Sequence, residues 1–530
     1  LAAVALASPF MAIDEMLHCL MGLGVTAEVS QTVGRGDRIK ANRIIATVII
    51  SVFVLYVLIF LPTLFFPRKI MGLFSNDQQL IEDAVKYIVP MVIAMPFFEM
   101  MLCLERAYQI DGRPALFAAR PVITTIMNIF LDILFVAFLH MDVTGLALAS
   151  ILSTLIGYIL SLSHGLSEKC TIHPDFSVLK NPKECLGYLK ANAVRGGSAA
   201  IDEGMYSVVS GTMCKALSAC GGVQALAIYN IFNVIKQFVN SFILGLNHST
   251  SLFGNILFGK EDYSGLKFML KRGLTIASII GVFGSFSAFF GSETIGKLYS
   301  LEGDALTSCI TLMKIISPAF LFFSLCSYVD SCFLIINKFR YSYFFSIAQQ
   351  IVALIFTIIG ANFGLNGVFI GYCISFPIVL LCILIVYIKD NNKILPLGDS
   401  KVIAEYSIPL EPSTIVQTSM ELQREMNING FNNKLCNNIS LLIEECSNLI
   451  RSKNENKSVI EDIQVCSKGD RLIICIMDNG IPFNSIFSFQ NLNDFVNLEK
   501  KIIVELTDES SYDRVLELNF VVLKIAQKDL

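Results

Sequence analysis

Between Ile126 and Ser150 the chain reads IMNIFLDILFVAFLHMDVTGLALAS, an apolar run that is interrupted by Asn128 and Asp132. Residues four apart lie on the same face of a helix, so this spacing places the amide beside the carboxylate. A carboxylate is costly in hydrocarbon and faces a bundle interior or a wet cavity. The structural alternative is that Asp132 only pairs with a neighbouring helix. The run therefore predicts a buried polar site within a membrane protein.

The composition of the whole chain is typical of a polytopic membrane protein. Of its 530 residues, 54% are hydrophobic and 16% are charged, whereas soluble proteins average about 25% charged. The charge is uneven, because residues 389–530 hold 21 of the 44 acidic residues but only 15 of the 40 basic ones. This difference predicts a membrane domain that is followed by a mildly acidic soluble domain.

Eleven apolar segments are long enough to span a bilayer. Lys and Arg are concentrated in alternate loops, 18 against five in the opposite set, and this bias places the richer loops and the segment after Ile388 in the cytoplasm. The predicted spans are 2–28, 44–66, 84–108, 115–139, 144–165, 196–218, 223–258, 272–292, 309–337, 341–362 and 365–388.

Three segments of the first half recur about 225 residues later, and repeats in the same order and sidedness imply two parallel six-helix lobes. The matching pairs are Leu20–Asp37 with Ile243–Asp262, KIMGLFSND from Lys69 with ETIGKLYSLEGD from Glu293, and MDVTGLALAS from Met141 with NFGLNGVFIG from Asn362. The first copy shows only five spans, and the sequence starts at Leu1 inside a helical run. We therefore expect one further helix ahead of it.

Four motifs resemble the multidrug and toxic compound extrusion (MATE) family: LAAVALASP, GLGVTAEVSQTVGRGDRIKANR, QIDGRP, and MNIFLD with GLALAS. The resemblance covers about residues 1–390. It implies an all-α bundle of two lobes, with 11 of 12 helices present, that exports cationic amphipathic compounds by antiport. In archaeal-type members an Asn, an Asp one turn later and a Thr on the next helix bind Na⁺ or H⁺. These positions match Asn128, Asp132 and Ser150.

Further acidic residues interrupt the apolar spans, and only Lys215 and Lys236 oppose them there. An excess of carboxylates favours exchangeable cations and cationic cargo, since each acid binds a cation or a proton. The alternative is Asp–Lys pairing between helices. The candidates for the substrate cavity are Asp14, Glu15, Glu99, Asp202, Glu203 and Asp330. The family places ion-linked acids on its seventh and tenth helices, where the last three of these fall.

The C-terminal part resembles the GHKL-type ATP-binding fold of anti-sigma-factor kinases, a small α/β sandwich, through LLIEECSNLIRS and IICIMDNGIPFNS. That resemblance makes Glu444 and Asn448 the general base and Mg²⁺ ligand, and Asp478 with Gly480 the adenine site. The glycine-rich lid of the family is replaced by NLEKKIIVEL, which contains no glycine. Without glycines the backbone curls poorly over phosphates. The sequence leaves ATP with Mg²⁺, or a module used only for protein contacts, as alternatives.

Several function classes are disfavoured. The 15 cysteines show neither CxxC nor metal-ligand spacing, so we expect reduced, buried thiols and no structural metal. No GxxxxGK[ST] motif occurs, which argues against an ATP-driven pump. A membrane-bound sensor kinase remains an alternative, but no histidine lies between the last span and Glu444. A flippase for lipid-linked precursors would need a more basic cavity.

The sequence thus predicts a transporter of the plasma membrane, not an enzyme, with an N-lobe (1–165), a cytoplasmic linker (166–195), a C-lobe (196–390), a second linker (391–400) and a GHKL-like cytoplasmic domain (401–530). The expected function is antiport of small cationic or amphipathic molecules against Na⁺ or H⁺. We expect the tail to be regulatory and open to a protein partner, with no role for nucleic acid.

Overall fold

The computed structural model describes residues 8–73, 77–111, 114–167, 170–260, 262–299, 302–389, 400–455, 457–468, 471–483, 509–515 and 518–526. Residues 8–389 are helical almost throughout. Their helices are α1 (Ser8–His18), α2 (Gly24–Gly34), α3 (Arg38–Phe65), α4 (Pro67–Met71), α5 (Gln78–Tyr108), α6 (Pro114–Asp132), α7 (Val143–Leu162), α8 (Pro182–Gly259), α9 (Tyr263–Leu298), α10 (Gly303–Ile316), α11 (Ala319–Ile335), α12 (Phe339–Ala361) and α13 (Gly364–Lys389).

Two π-helical turns extend these helices. Cys19–Leu23 joins α1 to α2, and Ile133–Phe138 continues α6. The repeated loop motif has a structural reason, because its last residue caps a helix in both copies. The Asp37 carboxylate accepts a hydrogen bond from the Lys40 backbone N–H at 3.0 Å, and the Asp262 carboxylate accepts one from Gly265 at 2.9 Å. Such caps satisfy backbone donors that the first helical turn leaves unpaired.

Within the described ranges, eight helical segments are long and apolar enough to cross a membrane, and the pair α10–α11, bent by 48°, forms a ninth. The other two predicted spans, 196–218 and 223–258, fall in α8, which does not meet that test. Helix α8 contains one non-helical residue, Gly222, with φ +58° and ψ −140°. A glycine adopts this conformation without a Cβ clash. Within the described residues, the predicted spans therefore coincide with helices, although α8 already begins at Pro182, inside the predicted linker.

The two halves of the bundle meet along α8, which packs against α1, α2 and α3. The backbones are in close contact at the end that carries the basic loops, as they also are where Gly196 faces the carbonyl oxygen of Leu20. A Cβ at Gly34 would lie 2.5 Å from the carbonyl oxygen of Ile256, and one at Gly259 would collide with the carbonyl oxygen of Gln31. Backbone contact at these two glycines brings the halves together and closes this end of the bundle.

The C-terminal part forms a separate core around a five-stranded antiparallel sheet of order β1-β2-β3-β5-β4. Helices α14 and α15 pack on it, and their apolar faces meet strand residues in one cluster that includes Leu422, Ile439 and Ile474. The elements are β1 (Ser400–Pro409), α14 (Pro412–Ile428), α15 (Asn433–Lys453), β2 (Ile460–Lys468), β3 (Arg471–Asp478), β4 (Glu509–Val515) and β5 (Leu518–Ala526). The glycine-free segment 497–506 lies outside the described residues.

Candidate functional site

A cavity of about 450 Å³ lies between the two halves of the bundle. The first half contributes Leu23, Thr26 and Arg106, and the second half contributes most of the remaining wall. The acidic, basic and histidine residues that line it are Arg106, Arg195, Asp202, Glu203, Lys236, His248 and Asp330. Three acidic residues and three Lys or Arg residues thus share one cavity.

The narrow end of the cavity is closed by a polar network across the two halves. The Gln31 amide donates to Asn255 Oδ1 at 2.8 Å and exchanges hydrogen bonds with Asn337 at 3.1 and 3.2 Å. Arg195 also donates to Asn337 Oδ1, at 2.9 Å. Gln31 belongs to α2 and the others to the second half of the chain, so these bonds hold the closed end together.

Arg106 lies near the same end and is 9% exposed. One of its terminal nitrogens is 3.0 Å from His248 Nδ1, while its Nε has no hydrogen-bond partner in the structure as described. The adjacent Glu105 is fully engaged by Arg120 at 2.8 Å and by the Ser161 hydroxyl at 3.1 Å. Arg106 is therefore not neutralised by its neighbour in the sequence, and its charge is available to the cavity.

Two of the predicted acids are held firmly at the cavity wall. Gln350 donates its amide to Asp202 Oδ1 at 2.7 Å, and Ser342 donates its hydroxyl to Asp330 Oδ1 at 2.7 Å. Each bond comes from α12, which packs against both α8 and α13. These bonds fix one oxygen of each carboxylate by neutral donors, and no ion pair within 4.0 Å joins either carboxylate to a cation of the described residues. The structure therefore brings Asp202, Glu203 and Asp330 together, as the sequence predicted for cavity residues.

The remaining candidates for the cavity lie elsewhere, because they are not among its lining residues as described. Glu15 is exposed. Asp14 and Glu99 belong to a cluster within the first half, where Glu99 Oε1 is 3.3 Å from His18 Nδ1 and Tyr56 donates to the backbone oxygen of Asp14 at 3.2 Å. Their helices point these side chains into the first half rather than toward the second.

Asn128, Asp132 and Ser150 also lie outside the cavity lining. Ser150 donates to its own helix at Leu146, and Tyr87 of α5 lies beside both Ser150 and Asp132. Asp132 Oδ1 is buried without a hydrogen-bond partner in the described structure. The alternative of a simple interhelical ion pair is thus not observed for Asp132 in the described residues.

The sequence underestimated the positive charge of the cavity. Lys215 is exposed and does not line it, whereas Arg106 and Arg195 do. Arg106 stands in the last turn of α5, and Arg195 immediately precedes the predicted span 196–218, so both were counted with the loops. Only the packing of the helices turns these two side chains toward the cavity.

In the C-terminal domain, Asp478 and Gly480 are adjacent but engaged with the protein. Asp478 Oδ1 accepts hydrogen bonds from Asn519 Nδ2 and the Gly480 backbone, each at 2.8 Å. Burial raises the pKa of the Asp478 carboxyl above its ordinary value. Glu444 accepts from the Ser419 hydroxyl at 3.2 Å, and both Glu444 and Asn448 are half-buried on α15. Asn519 and Asn454 lie against Asp478 and Gly480, so Oδ1 of this carboxylate is engaged by the protein itself.

Metal binding by the described residues finds no support, because no group of three or more His, Cys, Asp or Glu side chains could hold an ion. A coupling ion in the first half would therefore depend on one carboxylate with neutral oxygen ligands. Hard cations such as Na⁺ accept such ligands, and a proton needs only the carboxylate.

The chain is similar in sequence to two staphylococcal export proteins. Multidrug export protein MepA of Staphylococcus haemolyticus is 21% identical over 396 residues, covering 74% of this chain and 86% of that protein. MepA of Staphylococcus saprophyticus is 22% identical over 246 residues, so the chain spans about half (54%) of that relative in the match.

Two solved structures share the fold. A mutant of the Vibrio cholerae MATE transporter VcmN superposes with a TM-score of 0.68 at 17% identity, covering 74% of this chain and 89% of that one. A Pyrococcus furiosus transporter of the MOP superfamily, described as having a binding pocket of reverse polarity, gives 0.63 at 17% identity over 74% and 88%. Residues 1–134 and 201–359 match the MatE family. The chain therefore belongs to this family of membrane transporters, whose members are not enzymes.

Proposed function

We propose that this transporter is a secondary antiporter that exports cationic or amphipathic small molecules in exchange for Na⁺ or H⁺. The observation that carries the proposal is the pair Asp202 and Asp330, which line the cavity between the two halves while neutral donors hold them. A carboxylate in this setting attracts a cation strongly, because Coulomb energies grow as the effective dielectric constant falls. The relatives named multidrug export proteins support the export of small molecules.

The coupling ion is assigned to Asn128, Asp132 and Ser150, which lie outside the cavity lining. The buried Asp132 Oδ1 has no protein donor among the described residues, which is the condition under which a carboxylate takes up a proton or a cation. Binding and release of the coupling ion at Asp132 shift the equilibrium between two ways in which the lobes pack against each other. The closed end at Gly34 and Gly259 represents one of these packings.

The experiment uses the full-length protein in sealed vesicles that contain a fluorescent cationic dye. We expect dye movement when either a Na⁺ gradient or a pH gradient is imposed alone, and the effective gradient identifies the coupling ion. Dye movement that requires ATP and ignores both gradients would contradict antiport.

A second candidate is transport of an anionic or lipid-linked cargo. The specific observation in its favour is Arg106, whose buried Nε has no partner in the described structure and whose charge adds to that of Arg195. Guanidinium groups are suited to carboxylates and phosphates. A competition experiment distinguishes cationic from anionic cargo. An anionic amphiphile that slows export of the cationic dye and is itself exported would favour the second candidate.

The C-terminal domain is proposed to be a cytoplasmic regulator that touches the basic loops. Arg38 donates to the backbone oxygen of Arg514 at 3.0 Å, and the Lys260 ammonium lies 3.2 Å from the Phe520 ring centroid. Arg38 belongs to the first half of the bundle and Lys260 to the second, so the domain contacts both. A chain truncated after about residue 390 should still transport down an imposed gradient with a changed rate. Complete loss of transport in a folded truncation would overturn the regulatory role.

A further inference from the structure

The ammonium group of Lys236 is surrounded by aromatic rings on one wall of the cavity. Its Nζ lies 4.2 Å from the ring centroid of Tyr206, 5.3 Å from that of Tyr372 and 5.4 Å from that of Phe323. It also donates a hydrogen bond to the Tyr372 hydroxyl at 2.7 Å. Cations within about 6 Å of a ring centroid are attracted by the ring quadrupole. Tyr206 and Phe323 offer such contacts, whereas Tyr372 holds the ammonium at its hydroxyl edge. We define these three side chains together as the aromatic cage.

Carboxylates share the cavity with Lys236 but do not pair with it. Asp202 and Glu203 lie close enough for an electrostatic effect, yet no ion pair within 4.0 Å joins Lys236 to a carboxylate of the described residues. Asp202 instead accepts its hydrogen bond from Gln350. An ammonium in a cavity of low polarity would ordinarily pair with the nearest acid. The cage therefore holds this cation in place of a salt bridge.

The cage is built by packing that does not depend on Lys236. Tyr372 is 5% exposed and stands edge-on to Phe232 and Phe376, with interplanar angles of 88° and 89°. The three rings come from α8, α11 and α13, so three separate helices fix their relative positions. A cage fixed in this way keeps its shape when its occupant leaves.

If the rings served only to stabilise the charge of Lys236, neither the lysine nor the rings would need to be accessible from the cavity. Here Lys236 and all three rings line the cavity together. Any organic cation that enters the cavity consequently meets the same rings. It must compete there with an ammonium that is tethered to the wall and present at all times.

We propose that the cage of Tyr206, Phe323 and Tyr372 is the subsite for the cationic group of the cargo, and that Lys236 is a built-in competitor that the cargo displaces. This inference deepens the proposed function and rests on it for the cargo class. A primary ammonium is compact and strongly hydrated, so a quaternary ammonium, which is weakly hydrated, exchanges for it favourably. Lys236 thereby selects alkylated ammonium compounds over primary amines. The displaced lysine can turn to Asp202 or Glu203 on the same wall.

The test measures equilibrium binding of choline and of its neutral isostere 3,3-dimethylbutan-1-ol to the purified full-length protein in detergent. Lys236→Ala vacates the cage, and we expect choline to bind about tenfold more tightly, the size of a desolvated cation–π contact. The alcohol should bind as it does to the wild type. Lys215→Ala is the matched control, because Lys215 is exposed and outside the cavity, and it should change neither affinity.

Two further variants separate the cage from the simple loss of a positive charge. Lys236→Met removes the charge but leaves a side chain of similar length in the cage, and it should gain clearly less choline affinity than Lys236→Ala. The double variant Tyr206→Leu/Lys236→Ala should lose the gain. Unchanged alcohol binding and an unchanged melting temperature report that each variant is folded.

Any of three results would overturn the cage. The first is an equal gain of choline affinity in Lys236→Met and Lys236→Ala, the second is a gain that survives Tyr206→Leu, and the third is that Lys236→Ala does not bind choline at all. No ion gradient is present in these measurements. A failure of antiport would therefore leave their result intact, and a negative result here would leave the antiport proposal standing.

Discussion

The carboxylates of the two lobes differ in their surroundings. In the second lobe, Asp202 and Asp330 receive short hydrogen bonds from Gln350 and Ser342 and line the cavity. In the first lobe, Asp132 has a buried oxygen without a described partner and lies outside the cavity lining. The first arrangement orients a charge toward a visiting molecule, whereas the second leaves a charge that an ion or a proton must satisfy. The same residue type thus fits cargo binding in one lobe and ion coupling in the other.

The largest expected effect is that of Asp132→Asn. We expect gradient-driven dye export to fall by at least about a hundredfold while dye binding changes less than about twofold, since an amide neither binds a proton nor carries the charge that draws Na⁺. Export from sealed vesicles and equilibrium binding in detergent measure the two quantities. The matched control is Glu15→Gln, which neutralises an exposed acid of α1. Full export by Asp132→Asn would remove the assignment of coupling to the first lobe.

The second prediction concerns Asp330→Asn, which removes a carboxylate from the cavity wall in the second lobe. A charge at about 5.5 Å in a medium of effective dielectric constant about 20 contributes about 3 kcal/mol, or about a hundredfold in affinity. We expect this loss for a cationic dye and little change for a neutral analogue, because Asn keeps an oxygen that accepts from Ser342. Titration of both ligands against the purified protein gives the ratio. Equal losses for the two would indicate a packing role for Asp330.

A third prediction concerns the contact between the lobes. Gly259→Ala places a Cβ against the carbonyl oxygen of Gln31, and such overpacking costs about 1–3 kcal/mol. The closed end should therefore open more often, and Cys19, which lines the cavity, should be labelled about tenfold faster by an impermeant thiol reagent applied from the cytoplasmic side. Mass spectrometry of the Cys19 peptide reports the rate. Gly211→Ala is the control, since a Cβ there meets no atom within 4 Å. Equal labelling of both variants would show that these glycines do not form the seal.

The C-terminal sheet offers a third type of acid, which is neither oriented toward a cavity nor exposed. Glu461 is 0% exposed and neither carboxylate oxygen has a hydrogen bond in the described structure. Burial raises the pKa of Glu461 from 4.5 to about 8. The folded state therefore holds a proton that the unfolded state releases, so stability is fully present below about pH 4.5 and declines as the pH rises toward 8.

We expect the free energy of unfolding of this domain to fall by up to about 1.4 kcal/mol for each pH unit within that window. Hydrogen exchange of the β3 amides in the full chain measures the effect. Comparing wild type with Glu461→Gln at each pH removes the pH dependence of the intrinsic exchange rate. The variant should be the more stable of the two at pH 8. A difference that does not vary with pH would show that Glu461 is not protonated in the folded domain.

Much of the membrane fold could be predicted from local pattern. Hydrophobic length located the eight helices of spanning length and the bent pair α10–α11 that the described residues contain, because a segment in lipid must be apolar and must satisfy its backbone internally. The break at Gly222 and the caps at Asp37 and Asp262 also follow from residue type. In the C-terminal domain, periodicity located α14 and α15, while the resemblance to an ATP-binding fold did not anticipate that Asn519 and Asn454 would surround Asp478 and Gly480.

By itself, the sequence determined the order of the apolar segments and the presence of costly intramembrane acids, and it indicated the two-lobe repeat, since these depend on local hydropathy and spacing. The tertiary structure decided which acids share a space. Asp14 and Asp202 are similar in sequence terms, yet only Asp202 lines the cavity. It also turned Arg106 inward and enclosed Lys236 among three rings. Such contacts join residues far apart in the chain, so they depend on how helices cross and rotate, which no local pattern encodes.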